Sequence, residues 1–147
     1  MSNSEKAGKR MLSGFNCAQS VISTLGPSLG LDKEMCLKIS SGFGGGMGRM
    51  QNTCGAVSGA FMAIGLKHGQ YKEEDKDSKE LTYNLVRKFA TEFEKKHETI
   101  NCRELLGCDY TTEEGMKFAQ ENNLFGTLCV LFVRDAIEMT EEILGLK

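Results

Sequence analysis

The chain has 147 residues, of which 40% are hydrophobic and 26% charged, and its formal net charge at pH 7 is −2. A chain of this length suits one domain, and folding then buries about 68–70% of the surface of the unfolded chain. The nearly balanced charge argues against nucleic-acid binding, which is associated with a clustered basic excess. We therefore predict one domain over 1–147 without a nucleic-acid partner.

The chain lacks the features of secretion and of membrane insertion. No apolar segment of the secretory type follows the basic pair Lys9 and Arg10. The most apolar stretch, from Cys54 to Leu66, is too short and too rich in glycine to span a bilayer. We expect a cytoplasmic protein without membrane contact. Because the cytoplasm keeps thiols reduced, its six cysteines favour redox chemistry or metal binding over a permanent disulfide framework.

Apolar residues recur at helical spacing along the chain, whereas strand-like alternation is weak. Asn16, Asp32 and Asn101 are good N-cap residues, and Thr111 with Glu114 matches a capping box. The predicted helices cover approximately 5–12, 17–25, 33–41, 54–67, 73–96, 111–122 and 127–144, with a short turn at 102–106. We predict an all-α fold, a single compact bundle of about five to seven helices.

A glycine-rich loop precedes the helix that we expect to be central. Thr53 should cap this helix, and Cys54 should lie in its first turn, where unpaired backbone N–H groups and the helix dipole stabilise a thiolate. Within the helix Gly55, Gly59 and Ala63 recur every fourth residue. This spacing predicts a flat face that packs closely against a second helix.

Three cysteines directly follow a residue type that caps helices, in the pairs Asn16-Cys17, Thr53-Cys54 and Asn101-Cys102. Each should therefore lie at a helix N-terminus, which suits thiolates that attack disulfides or bind metal. Cys129 differs, because we expect it one turn inside the last helix and facing the core. The alternative for each residue is a small buried thiol without chemistry.

The segment from Cys54 to Gly59, CGAVSG, resembles the CGAxxG signature of the C_GCAxxG_C_C family, bacterial and archaeal redox-active proteins of about this length. The resemblance runs from about Gly14 to the C-terminal helix. It implies four recurrent cysteines, whereas Cys36 and Cys108 are additional to the pattern. The matching residues are Cys17, Cys54, Cys102 and Cys129. The family name implies redox activity but no established reaction.

Convergence of these four cysteines would allow two kinds of site. Four thiolates can hold zinc or an iron–sulfur cluster, so Cys17, Cys54, Cys102 and Cys129 are the candidate metal ligands. Two close pairs would instead make a dithiol relay with the same four residues as catalytic thiols. The chain contains no C-x-x-C pair, so no local signature decides between them.

Gly44, Gly45, Gly46 and Arg49 are candidate cofactor-binding residues. The glycines leave room beside Cys54, and Arg49 is placed to bring positive charge near a thiolate, although a solvated arginine is the simpler alternative. The loop fits neither nucleotide-binding glycine pattern, so a phosphate cradle is disfavoured.

The remaining two cysteines receive separate interpretations. Cys36 lies in the middle of a predicted helix, where core filling is favoured. Cys108 follows Cys102 by six positions and is a candidate resolving thiol.

The sequence leaves three functional hypotheses. The first is a cytoplasmic redox-active protein whose cysteine cluster performs thiol–disulfide exchange or electron transfer with a redox partner protein, as an oxidoreductase or as an electron carrier. The second is a structural or sensory metal-binding module that holds zinc or an iron–sulfur cluster. The third is a helical interaction domain with inert thiols. A homodimer is compatible with each of them.

Overall fold

The described part of the chain is helical apart from its turns and loops. The computed structural model describes residues 1–146, and within them it has eight α-helices, two 3₁₀ turns and no β-strand. In chain order the helices are α1 (Asn3–Ser13), α2 (Cys17–Leu25), α3 (Lys33–Ser40), α4 (Gly55–His68), α5 (Lys76–His97), α6 (Cys102–Leu106), α7 (Glu113–Glu121) and α8 (Leu128–Leu144). The all-α prediction is confirmed. The predicted number of five to seven helices is wrong, because the expected turn after Asn101 is a capped helix.

Side chains at the N-termini determine where several helices begin. The Asn16 side chain accepts a hydrogen bond from Gln19 N, and Gln19 Oε1 accepts one from Asn16 N, so a complete capping box starts α2. Helix α7 is capped by Thr112, whose Oγ1 accepts from Gly115 N, rather than by the predicted Thr111. Three further N-cap residues act in the same way: Asp32, Asp75 and Asn101.

Helices α2, α4 and α8 form the centre of the molecule, and each packs against the other two. Helix α1 lies against α2 and α8, α3 lies against α2, and α5 lies against α4 and α8. The core is built from aliphatic side chains that these central helices bury completely, among them Val21, Ile22, Ala60, Ile64, Val133 and Ile137.

The small-residue face of α4 lies against α2. A Cβ atom on Gly59 would lie 2.9 Å from Val21 Cβ and 3.0 Å from the Ala18 carbonyl oxygen. A Cβ atom on Gly55 would lie 2.9 Å from the Ala18 backbone nitrogen. Ala63, the third residue of the predicted face, is fully buried. The predicted close packing is confirmed, since a larger side chain would have to displace α2.

The longest helix, α5, is anchored by its second half. Phe89 and Phe93 are fully buried, whereas Leu81, which precedes them on the same four-residue spacing, is 43% exposed. At the end of α5, His97 Nε2 lies 2.7 Å from Asp135 Oδ2 and so joins α5 to α8. Within residues 1–146, no helix is both long enough and apolar enough to cross a bilayer, and this includes α5.

Two glycines of α4 provide a matched test of this packing. Gly59→Ala should reduce the free energy of unfolding by ~1–3 kcal/mol, because the added methyl group overpacks the contact with α2. Gly65→Ala, in the same helix with no atom within 4 Å of the added Cβ, should increase it by roughly 0.5–1 kcal/mol. Urea unfolding followed by circular dichroism measures both. Equal effects of the two substitutions would contradict the close approach.

Candidate functional site

Four cysteines from different parts of the chain border one cavity of about 410 Å³. They are Cys17, Cys54, Cys102 and Cys129, the four that the sequence pattern singled out. All are buried, with exposed fractions of 7%, 4%, 8% and 7% in that order. The structure thus brings the four cysteines to one cavity, although they come from the starts of four different helices, α2, α4, α6 and α8.

Each of these cysteines lies at the start of a helix. Cys17 and Cys102 are the first residues of α2 and α6, and Cys54 is the N-cap residue of α4. Cys129 is the second residue of α8, so the expectation that it lies one turn inside that helix is wrong. Helix N-termini carry partial positive charge, and the cavity therefore faces several of them.

Thr53 has a different role from the one predicted. It forms an isolated antiparallel bridge with Asn101, and Cys54 N donates a hydrogen bond of 2.8 Å to the Ile100 carbonyl oxygen. This backbone pairing holds Thr53 outside α4. The prediction that Thr53 caps the helix is therefore wrong, because Cys54 itself occupies the N-cap position.

Two adjacent thiols have pKa values displaced in opposite directions. The Cys17 thiol lowers the pKa of Cys54, because it donates to the Cys54 thiolate. The backbone N–H groups of Ala56 and Val57 lower this pKa further, although burial opposes them. The pKa of Cys17 is raised well above its ordinary value by its hydrogen bonds to Cys129 and Cys54 and by burial. Cys54 therefore ionises before Cys17.

Burial is the main cause of the raised pKa of Cys102. Burial raises the pKa of Cys102 to about 12, and the charges of Cys54 and Cys129 add to the effect. Hydrogen bonds from the side chains of Tyr110 and Gln51 act in the opposite direction. Burial and the nearby Cys102 in turn raise the pKa of Tyr110. At neutral pH Cys102 is consequently a thiol.

Gln51 and Tyr110 are site residues that the sequence analysis missed. Gln51 is 2% exposed and has a φ of +56°. Its Nε2 donates to the Cys108 carbonyl oxygen at 2.9 Å, and its Oε1 accepts from Tyr110 N at 3.0 Å. Neither residue belongs to a motif or a helical repeat, so no signal in the sequence identifies them.

The loop between α3 and α4 forms one wall of the cavity. Its backbone has positive φ at five consecutive residues, 45–49, which is the left-handed region. In this region Met47 and Arg49 each carry strain of about 1–3 kcal/mol. At Gly46 a Cβ atom would lie 2.6 Å from Asn52 N and 2.8 Å from Cys102 Cβ, so the loop backbone passes directly over the thiol.

Three of the four candidate cofactor-binding residues line the cavity: Gly45, Gly46 and Arg49. Gly44 does not, because it packs against the Asn16 side chain, where a Cβ atom would lie 2.4 Å from Asn16 Nδ2. No cofactor is assigned by this placement, and the cofactor-binding role of the four residues stays a prediction.

The rest of the cavity wall is mostly apolar. Two polar side chains, Asn16 and Gln120, line it together with the Tyr110 ring, and Arg49 is its one charged residue among those described. The apolar residues come from α1, α6, α7, α8 and the segments beside them, and they are Met11, Phe15, Leu105, Leu106, Met116, Phe125 and Phe132.

A metal centre would need a tighter arrangement of ligands. Within residues 1–146 no group of three or more His, Cys, Asp or Glu side chains is placed to hold a metal ion. Tetrahedral zinc requires four ligands, with Zn–S distances of about 2.3 Å. As arranged, the four thiols do not fit such a site, and their assignment as metal ligands stays a prediction that requires them to move.

The two additional cysteines lie away from the cavity wall. Cys36 is fully buried, and its thiol donates to the Leu31 carbonyl oxygen at 3.3 Å, in agreement with a core-filling role. Cys108 is half-buried, and burial with the charge of Asp109 raises its pKa. A resolving role for Cys108 stays a prediction.

Comparison with known proteins identifies one family. A family model described as "Putative redox-active protein (C_GCAxxG_C_C)" matches residues 15–143. The match contains all four cysteines of the cavity as well as the loop between α3 and α4. Searches of curated proteins and of solved structures found no match to the chain.

The opposite pKa displacements give a prediction for alkylation. In the reduced, metal-free protein, Cys17→Ala should raise the pKa of Cys54, because it removes the thiol that donates to the thiolate. Alkylation of Cys54 at neutral pH should then slow by about tenfold for each pKa unit regained. The measurement is the pH profile of iodoacetamide labelling, read by peptide mass spectrometry. Cys36→Ala is the control and should leave the profile unchanged. A Cys17→Ala profile identical to that of the wild type would contradict the assignment.

Proposed function

The chain belongs to the C_GCAxxG_C_C family of redox-active proteins, and we propose that it performs thiol–disulfide exchange with Cys54 as the attacking thiolate. The observation that carries the proposal is that Cys54 and Cys17 border the same cavity, at two helix starts so close that a Cβ atom on Gly55 would lie 3.1 Å from Cys17 Cβ. Such an exchange needs a thiolate that attacks and a neighbouring thiol that completes the reaction.

Cys54 is a better attacking group than Cys17 or Cys102. Its pKa is lowered, whereas the pKa values of Cys17 and Cys102 are raised. The thiolate is the nucleophilic form of cysteine, so the residue that ionises most easily attacks first. Its N-cap position at α4 supports this assignment, because a helix N-terminus stabilises negative charge.

The exchange proceeds in two balanced steps. The Cys54 thiolate attacks one sulfur of a disulfide, forms a mixed disulfide, and releases the other half as a thiolate that takes up a proton. Cys17 then loses its proton and attacks the Cys54 sulfur, so that a Cys17–Cys54 disulfide forms and the second half leaves as a thiol. In total, one external disulfide is reduced to two thiols, and two protein thiols are oxidised to one disulfide.

Cys129 extends this pair to a relay. It borders the same cavity as Cys17 and contributes to the raised pKa of Cys17, so after losing its proton it would attack the Cys17 sulfur of the Cys17–Cys54 disulfide. A Cys17–Cys129 disulfide would form, and Cys54 would leave as a thiolate ready for another attack. Cys102, which keeps its proton beside Tyr110, would be the last of the four thiols to react.

The oxidised protein must be reset by an external dithiol, which attacks the protein disulfide and leaves as a disulfide itself. A redox partner protein is the expected source of this dithiol. A cytoplasmic location is part of the proposal, because that compartment keeps thiols reduced. All six cysteines are free thiols in the structure.

Trapping of intermediates tests the exchange and separates it from metal binding. With hydroxyethyl disulfide, the wild type should form a disulfide at Cys17, first with Cys54 and after the relay step with Cys129, and Cys17→Ala should stop at a mixed disulfide on Cys54. Cys54→Ala should react much more slowly, and Cys36→Ala should behave as the wild type. Peptide mass spectrometry under non-reducing conditions identifies each product.

Metal analysis of the protein as isolated completes the experiment. One zinc ion or iron–sulfur cluster per chain, with thiols that react only after chelation, would overturn the exchange proposal in favour of a metal-binding module. Metal-free protein in which the oxidant leaves Cys54 unmodified would also overturn it.

A further inference from the structure

We infer that the disulfide reduced at this site is a small molecule with an apolar body about the size of an aromatic ring and an acidic group, rather than a disulfide on a protein surface. The inference rests on the exchange function proposed above and adds its substrate class. The inference follows from the burial of the thiols, from the apolar side chains of the cavity wall and from the charge of the cavity.

Burial of the thiols favours a small substrate. The four thiol residues are only 4–8% exposed, so a disulfide set in a protein surface reaches them less readily than a small molecule that enters the cavity. The cavity volume of about 410 Å³ falls in the range of 300–1,000 Å³ that is typical of pockets for small ligands. The reacting sulfur must therefore enter the cavity, together with the group that carries it.

The side chains of the cavity wall indicate the chemical character of the group that carries the sulfur. Apolar side chains from four helices surround the space next to the thiols: Met11, Leu106, Met116 and Phe132. Burying an apolar group against them is favourable in proportion to the area removed from water. A strongly polar body would lose its hydration there and find few partners, since Asn16, Gln120 and Tyr110 supply the polar side chains of the uncharged wall.

The charge of the cavity indicates an acidic group. No Asp or Glu is among its described lining residues, and Arg49 is exposed at its edge. Within residues 1–146 no carboxylate lies at ion-pair distance from the Arg49 guanidinium. Helices α2 and α4 also begin at the cavity and add positive potential. A substrate with its carboxylate at Arg49 and its apolar body inside would bring its sulfur towards Cys54.

Two chromogenic disulfides test this class directly in the full-length reduced protein. One is 5,5′-dithiobis(2-nitrobenzoate), which is aromatic and acidic, and the other is 2,2′-dithiodipyridine, which is aromatic and neutral. Hydroxyethyl disulfide and the disulfides of insulin represent polar small molecules and proteins. Each rate is divided by the rate of the same disulfide with N-acetylcysteine, which removes differences in intrinsic reactivity.

Three variants separate the charge from the shape of the cavity. Arg49→Gln should slow the acidic probe by roughly two- to fivefold and leave the neutral probe unchanged, because one exposed ion pair is lost. Met116→Trp, which fills the cavity, should slow both aromatic probes much more than hydroxyethyl disulfide. Phe118→Trp is the matched control on α7, since Phe118 is 49% exposed and does not line the cavity.

The outcomes distinguish this inference from the proposed function. Faster normalised reduction of insulin than of the aromatic probes, or no effect of Met116→Trp and Arg49→Gln, would overturn the small-molecule inference while the exchange function stands. Failure of every disulfide to produce a Cys17–Cys54 or Cys17–Cys129 bond would overturn the exchange function itself. A normalised preference for the acidic aromatic probe that depends on Arg49 would support the inference.

Discussion

The close approach of α4 to α2 is the contact on which the cysteine cluster depends. A Cβ atom on Gly55 would lie 2.9 Å from Ala18 N and 3.1 Å from Cys17 Cβ, so the backbone at the start of α4 touches the start of α2. Gly59 continues the same contact one turn later. Because Cys17 and Cys54 sit at these two helix starts, the packing that builds the core also brings their thiols together.

A second constraint places Cys102 in the same cavity. The loop before α4 pairs with the segment before α6, since Cys102 N donates to the Asn52 carbonyl oxygen at 2.6 Å and Cys54 N donates to Ile100 O at 2.8 Å. Gln51 strengthens the junction through its buried amide. These bonds join chain segments about fifty positions apart, and they hold the starts of α4 and α6 side by side.

The helices and the cavity cysteines could be predicted to the extent that local signals determine them. Asn16 starts α2 as expected, because a capping box is a contact between residues three positions apart. Thr53 could not be assigned correctly, because its pairing with Asn101 is a long-range backbone contact that no local pattern encodes. Gln51 was missed for the same reason. Gln51 acts through two hydrogen bonds to a distant segment, whereas the residues next to it in the sequence indicate only a loop.

The cavity is arranged to hold one negative charge at a time. Moving an isolated ion into an apolar interior is strongly unfavourable, so several buried thiolates without a counter-charge would repel one another and resist ionisation. The lowered pKa of Cys54 depends on a neighbouring thiol that keeps its proton, and the pKa of Cys102 is raised to about 12 partly by the charges of other cysteines.

Exchange chemistry meets this constraint, because each of its steps uses one thiolate and returns one. A four-thiolate metal site would require the positive charge of the metal to replace the remaining protons as the ligands close around it. The same electrostatics support the proposed sequential attack, which begins at Cys54 because its negative charge lies at the start of a helix.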